Sequence, residues 1–369
     1  GMMASGGEPR ATKVVLLLVP RVEASFHAAL RERFRVLDFF GSSERTPLPA
    51  FLAAAAAAAE PPRAAIVVGA GMISVDAAFL DAVPSLRCVM CLAAGVDFID
   101  LDECARRGVV VANSGRVFSA DVADHAVGLL IDVLRRVSAA ERFVRRGLWP
   151  VQGDHPLGSK IGGRRVGIVG LGNIGSQIAK RLQALGCTVC YNSRTRKDSV
   201  PYRFFPNVYD LAAESDVLVV ACALNKATRH IVGKDVLEAL GKDGVIVNIG
   251  RGANVDQAEL VRALKEGRIA GAGLDVFENE PGAPGELFSM DNVVMTPHVA
   301  VFTAESMSDL QENTFANLEA FFSAPAGQQE LAAWMADTVS AKCLGTWPSN
   351  RTSVGGKQHK CEAEELVVV

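Results

Sequence analysis

The stretch Val166 to Gly175, V-G-I-V-G-L-G-N-I-G, decides the fold. A short apolar strand over Arg165–Val169 runs directly into Gly170-x-Gly172-x-x-Gly175, and a helical pattern opens over Ile174–Leu185. Alone, three glycines at this spacing say little; between a strand and a helix they are a dinucleotide-binding turn. The first glycine makes the tight turn, the second lets backbone approach a pyrophosphate, and the third lets helix pack on strand. The helix start adds unpaired N–H groups and the positive end of its dipole. Gly170, Gly172, Asn173, Ile174 and Gly175 are therefore candidate cofactor-binding residues.

The next strand, Thr188–Asn192, ends in Asn192-Ser193-Arg194-Thr195-Arg196-Lys197, with no carboxylate before Asp198. A carboxylate at this place would bond a ribose 2′-hydroxyl. Ser193 and Arg194 suit a 2′-phosphate instead, because the planar guanidinium fork matches phosphate oxygens. NADP(H) is expected, with NAD(H) less favoured.

Further strands are expected at Val217–Ala221, Val245–Ile249, Ala272–Val276 and Val293–Met295. Asp256, with Glu259 three residues on, marks a helix start. Before the glycine turn, apolar runs at Val14–Val19, Phe34–Leu37, Ala65–Val68, Cys88–Leu92 and Val109–Val111 alternate with helical stretches at Glu23–Arg33, Leu48–Ala59, Val75–Asp81 and Leu101–Arg107. Alternation of this kind reads as an α/β fold of two doubly wound parallel-sheet domains. A long helix is expected over Ala120–Arg146, ending at Gly147-Leu148-Trp149-Pro150, and an amphipathic helix over about Ala304–Phe322. The expected division is residues 10–115 with 299–326 as a discontinuous substrate domain, 116–298 as the dinucleotide domain, and 327–369 as an irregular tail without a catalytic role.

The 369 residues suit two domains, with 49% apolar and 21% charged residues and a net charge of −3. No basic face points to nucleic acid, and no apolar run approaches the roughly 20 residues that span a bilayer. The first seven residues lack the features of a secretory signal, and a cytoplasmic location is expected. The spacings Cys88/Cys91 and Cys187/Cys190 raise a zinc or redox reading. Both lie in strand-like runs, where residues i and i+3 face opposite sides, so neither pair chelates easily. No metal is expected, at these cysteines or at Asp124-His125.

Three segments at strand ends carry candidate chemistry: Asn248-Ile249-Gly250-Arg251-Gly252, Asp275-Val276-Phe277-Glu278-Asn279-Glu280-Pro281 and Thr296-Pro297-His298-Val299-Ala300. Ligands of open α/β sheets bind beyond the carboxyl ends of the strands, where these segments fall. Reducing a 2-keto acid develops negative charge on the keto oxygen, which calls for a proton donor such as His at neutral pH. A carboxylate beside that ring orients it, and Arg matches a planar carboxylate.

With these segments and the glycine turn, the chain from about Ala65 to Phe322 resembles the D-isomer-specific 2-hydroxyacid dehydrogenases, nearest to the glyoxylate/hydroxypyruvate and hydroxyphenylpyruvate reductases. The resemblance implies a Rossmann-type cofactor domain and a flavodoxin-like substrate domain. It implies His298 as the acid/base, Glu280 as its partner, Arg251 as the substrate-carboxylate anchor, and backbone N–H groups of Ala94, Gly95 and Val96 on that carboxylate. It places Asp275 and Val122 near the nicotinamide, with Ile249 and Ala300 as further cofactor contacts. It further implies a homodimer formed through the cofactor domains, for which the long helix, apolar at Val122, Ala126, Leu129 and Leu130, offers a face, and makes Trp149 a candidate contact to a neighbouring subunit's substrate, the alternative being a core or dimer-packing Trp. The expected activity is NADPH-dependent reduction of a small 2-keto acid, glyoxylate or hydroxypyruvate. Hydroxyphenylpyruvate reduction and a nucleotide-sensing, corepressor-like binding module are the alternatives. Formate dehydrogenases carry Gln where Glu280 stands, which argues against that reaction. The sequence departs from many relatives at Asn113-Ser114-Gly115-Arg116 and at Cys222-Ala223-Leu224. Phe118 and Met72 are candidates for the substrate mouth.

Overall fold

The computed structural model describes residues 10–41, 46–69 and 73–323. These form two compact units, one running up to Val117 and resuming at Met307, the other Phe118–Ser306. Met72 and the tail 327–369 lie outside the described residues.

The first unit contains β1 (Val14–Leu18), β2 (Arg35–Asp38), β3 (Ala64–Val67), β4 (Cys88–Cys91) and β5 (Val110–Ala112). They form a parallel sheet in the order β2-β1-β3-β4-β5, a flavodoxin-like order. Strands covered on both faces are apolar throughout rather than alternating, and β1, β3 and β4 are buried at every residue. Leu16, Leu18, Val67, Val89 and Cys91 enter one core. Val15, Leu17, Ile66, Cys88 and Met90 enter the other, with Phe315, Leu318, Phe321 and Phe322 from the final helix, Ala304–Ser323. That helix closes the face by ring packing, Phe26 on Phe315 at 5.4 Å and Phe34 on Phe322 at 5.7 Å between centroids. Cys88 and Cys91 thus lie on opposite faces, and burial pushes the Cys88 thiol up to about 12.

The second unit contains β6 (Arg165–Val169), β7 (Thr188–Asn192), β8 (Arg203–Phe204), β9 (Val217–Val220), β10 (Val245–Asn248), β11 (Gly271–Leu274) and β12 (Val293–Met295). All are parallel, in the order β12-β11-β10-β9-β6-β7-β8. Relative to β6 this is the doubly wound order of a dinucleotide domain, with the switch point between β6 and β9. The sequence reading did not contain β8, two residues paired with the end of β7.

The expected single helix Ala120–Arg146 is two helices, Ser119–Arg135 and Val137–Arg145, separated by Arg136 in the left-handed region at φ 57°. In an unbroken helix the Ser138 amide would bond the Leu134 carbonyl. Here the Asp132 carboxylate accepts from the Ser138 amide at 2.7 Å and from the Ser138 hydroxyl. The Leu134 carbonyl accepts instead from the Ser159 amide at 2.7 Å. The dimer face expected on this helix is also corrected. Val122, Ala126, Leu129 and Leu130 are buried within their own unit, so they present no surface to a second chain. Among the described residues, no helix is long and apolar enough to cross a membrane.

Candidate functional site

The glycine turn lies at the switch point. Gly170 has φ +93°, and a Cβ there would come within 2.7 Å of Cys222 Cα, two residues past the end of β9. A Cβ on Gly175 would meet the Gly170 carbonyl oxygen at 2.1 Å, so helix Asn173–Ala184 seats on the turn only because residue 175 is glycine. Gly172 caps this helix without a side-chain bond, which leaves its first-turn amides for a phosphate. The donor set and the cradle fit a dinucleotide pyrophosphate. At the end of β7, Asn192 is buried: its carbonyl accepts from the Gly170 amide at 2.9 Å, and its Nδ2 donates to the Phe205 carbonyl at 2.9 Å. Asn192 therefore locks the strand end, and Ser193 and the exposed Arg194 follow it with no carboxylate beside them. The Ser193 hydroxyl donates to the Thr195 carbonyl at 2.5 Å, which folds this tip back on itself.

Arg251 stands between two glycines for steric reasons. A Cβ on Gly250 would lie 2.9 Å from the Cys222 carbonyl oxygen. A Cβ on Gly252 would lie 1.9 Å from the Phe277 carbonyl carbon. Two buried asparagines fix the loop between them. Asn248 Nδ2 donates to the Arg251 carbonyl at 3.0 Å and its Oδ1 accepts from the Gly250 amide at 3.1 Å. Asn254 Oδ1 accepts from the Arg251 amide at 2.8 Å.

The close contact at Gly252 aligns the chain leading from Phe277 to Glu280. One Glu280 oxygen accepts from the Phe277 amide at 2.9 Å, and the other lies 2.7 Å from His298 Nδ1. Burial pushes the Glu280 carboxyl up, but hydrogen bonds from His298 and Phe277 and the charges of His298 and Arg251 outweigh it and hold it below its ordinary value. Arg251, Glu280 and His298 thus form one electrostatic group. A carboxylate can only accept, so Glu280 takes the Nδ1–H and leaves Nε2 as the outward nitrogen of the ring.

His298 has left-handed backbone, φ 53°. For a non-glycine residue this costs about 1–3 kcal/mol and persists only where surrounding bonds enforce it. Asp275 supplies them. Its carbonyl accepts from the His298 amide at 2.8 Å, and its carboxylate accepts from the Val299 amide at 2.9 Å, the Ala300 amide at 3.1 Å and the Thr296 hydroxyl at 2.6 Å. Burial pushes the Asp275 carboxyl up, yet bonds from His125, Thr296 and the two amides bring it below its usual value. Asp275, expected beside the nicotinamide, is 1% exposed and its carboxylate holds this loop.

Val122, Ile174, Ile249 and Ala300 are buried. Ala94, Gly95 and Val96 follow β4 in the other unit, where Asn113 Nδ2 donates to the Ala94 carbonyl at 2.8 Å and the Ile99 amide to the Val96 carbonyl at 2.9 Å. Asn113 also accepts from the Gly115 amide at 2.9 Å, so the divergent 113–116 segment retains a tight turn. Trp149 is 60% exposed. Phe118, a candidate for the substrate mouth, is instead buried at 2% exposure. Asp124 bonds Arg181, while its neighbour His125 reaches Thr296 at 2.9 Å. Sequence reasoning left His125 unassigned; its spacing of four from Asp121 on one helix face was the available signal.

Residues 127–300 match the family model of the D-isomer specific 2-hydroxyacid dehydrogenase NAD binding domain. The chain is 50% identical over 321 residues to a glyoxylate/hydroxypyruvate reductase of Arabidopsis thaliana, covering 87% of this chain and 97% of that protein. It belongs to the D-isomer specific 2-hydroxyacid dehydrogenase family. Within this family it is 47% identical to a hydroxyphenylpyruvate reductase of Plectranthus scutellarioides over 70% of this chain and 82% of the relative. A solved NADPH-dependent glyoxylate/hydroxypyruvate reductase of Sinorhizobium meliloti, in complex with NADP and malonate, superposes with a TM-score of 0.78 at 35% identity, covering 93% of this chain and 100% of that one. The family recognised from the motifs is the one the comparisons show, and the two parallel sheets agree with its solved members.

Proposed function

We propose that this protein reduces glyoxylate or hydroxypyruvate to the 2-hydroxy acid with NADPH. The observation that carries the reading is the group Arg251–Glu280–His298, with Glu280 2.7 Å from His298 Nδ1 and within the influence of the Arg251 charge. The chemistry NADPH would supply when bound is a hydride for the keto carbon. Gly170, Gly172, Asn173, Ile174 and Gly175 would hold the pyrophosphate, Ser193 and Arg194 the 2′-phosphate, and Val122, Ile249, Asp275 and Ala300 would line or support the nicotinamide side. Arg251 binds the substrate carboxylate, assisted by the amides of Ala94, Gly95 and Val96. His298 delivers the proton from Nε2 to the keto oxygen, while Glu280 stabilises the imidazolium before transfer.

The identity to a hydroxyphenylpyruvate reductase supports a second substrate reading on the same machinery. The experiment is NADPH oxidation with glyoxylate, hydroxypyruvate, pyruvate and hydroxyphenylpyruvate in parallel. His298→Ala abolishes turnover and spares NADPH binding; retained turnover would remove the acid assignment. Absence of turnover with every keto acid would favour the corepressor-like binding module.

The homodimer belongs to the same proposal. Val137, Val144, Trp149, Val151 and Leu157 are all more than half exposed along one segment of the cofactor unit, an apolar surface suited to a second copy. Trp149 within it is the residue we assign to the neighbouring subunit's substrate. Leu157→Asp with Val151→Asp should convert a dimer to monomers in sedimentation velocity; unchanged sedimentation would refute this surface. A cytoplasmic location is supported by the unbridged thiols of Cys88, Cys187, Cys190 and Cys222.

A further inference from the structure

Helix Ser119–Arg135 presents two polar side chains four residues apart, Asp121 and His125, and each reaches the loop that carries His298. On the near side of His298, His125 Nε2 lies 2.9 Å from Thr296 Oγ1. On the far side, the Thr303 hydroxyl donates to Asp121 at 2.6 Å. The proton count fixes the direction of the first link. A threonine hydroxyl has one proton, and Thr296 donates it to the buried Asp275 carboxylate at 2.6 Å, since a carboxylate accepts only. Thr296 Oγ1 is then an acceptor toward His125, and His125 Nε2 carries the donated proton. The result is a directed chain from His125 to Thr296 to Asp275, whose carboxylate also accepts the amides of Val299 and Ala300. His125 Nε2 also approaches Asp275 Oδ1 at 3.5 Å.

Residues 296–303 are therefore fastened to one helix on both sides of a left-handed His298. A hydrogen-bonded ring aimed at a keto oxygen tolerates little displacement, and this chain of bonds sets where the backbone of residue 298 sits. We propose that His125, with Asp121, is a positioning residue for the reduction: it fixes the aim of His298 through Thr296 and Asp275 without touching substrate. The proposal rests on the reading of His298 as proton donor.

The test compares His125→Ala, His125→Gln, Thr296→Val and the double variant His125→Ala/Thr296→Val with His298→Ala, in kcat, KM and NADPH binding followed by fluorescence. His125→Ala should lower kcat about 10- to 100-fold while NADPH affinity stays within about twofold. His125→Gln, whose terminal amide can donate to Thr296, should recover most of kcat. The double variant should be no worse than the poorer single one, because both break one chain. Should His125→Ala fail to fold, Thr296→Val carries the same expectation, since it keeps the shape and breaks the same link. An unchanged kcat in His125→Ala beside an inactive His298→Ala would overturn the proposal and leave the acid assignment standing. A loss of kcat matched by an equal loss of NADPH affinity would also overturn it. An active His298→Ala would instead remove the reading beneath it.

Discussion

Replacing Glu280 by Gln tests the centre of the mechanism with almost no change of shape. The Gln oxygen can keep the bond from the Phe277 amide, 2.9 Å in the native protein. Its NH₂ then faces His298 Nδ1, which lies 2.7 Å from the native carboxylate. A neutral ring can meet that NH₂ with a lone pair, but an imidazolium cannot, because both ring nitrogens then carry protons. The substitution therefore removes support from the proton-donating form. A hydrogen bond to a charged group contributes about 1.5–3 kcal/mol. Both side chains keep about a third of their surface exposed, 37% for His298 and 34% for Glu280, so solvent screening favours the lower end. A loss of about 1.5 kcal/mol is roughly tenfold in rate. Stopped-flow NADPH oxidation with glyoxylate from pH 5 to 9 should show about a tenfold lower kcat/KM at pH 7, with the deficit shrinking toward acid pH. Equal rates at pH 7, or a deficit that grows toward acid, would refute the argument.

Gly252→Ala places a methyl 1.9 Å from the Phe277 carbonyl carbon, so the segment leading to Glu280 must shift; kcat/KM should fall about 100-fold while NADPH still binds, and near-native kinetics would contradict the packing account. The native enzyme should prefer NADPH to NADH in kcat/KM, and Arg194→Ala should reduce that ratio at least about tenfold, a guanidinium–phosphate pair being charge-assisted; a native ratio below one would end the 2′-phosphate assignment. The pH dependence of stability follows from Asp275, whose carboxyl is held below its usual value. A depressed folded value contributes stability that is present above the unfolded value, about 3.9, and lost as pH falls through the folded one. Calorimetry should show Asp275→Asn melting below the native protein at pH 7, with the gap narrowing below about pH 4; a gap constant to pH 3 would contradict it.

Much of this was legible along the chain because its physical cause is local. β6, β7 and β12 have the expected bounds because apolar runs there end abruptly in Gly, Asn or Thr-Pro. The segments that hold Arg251, Glu280 and His298 stood out as candidates because each lies beside a Gly or Pro at a strand end, while the roles proposed for the three came from the family resemblance. The misses have distant causes. The helix break at Arg136 follows from Ser159 taking the Leu134 carbonyl and Asp132 taking the Ser138 amide, neither of which leaves a periodic trace. β8 is too short to show a period. The expected dimer face failed because an apolar stripe does not say whether it covers its own sheet or another chain. The spacing of His125 from Asp121 was visible, but its partner was not, because Thr296 is 171 residues away.

Ring geometry also supports our proposal that His298, rather than His230, is the proton donor. The two look alike: both have left-handed backbone, φ 53° and 51°, and both pair with a glutamate of the segment after β11. Their second nitrogens differ. His230 has Glu278 at Nε2 and the Asp256 carboxylate 3.9 Å from Nδ1, so acids face both sides of its ring. The Nε2 bond ties the 230 loop to the segment at 278, and a second carboxylate stands 3.9 Å from the other nitrogen, a setting that disfavours an anionic substrate. His298 engages Glu280 through Nδ1 alone among the described residues, which leaves Nε2 to give and recover a proton. We read the His230–Glu278 pair, with a second acid beside it, as a structural brace, and the His298–Glu280 pair as the acid. His230→Asn should accordingly reduce Tm before it reduces kcat, whereas His298→Asn should do the reverse.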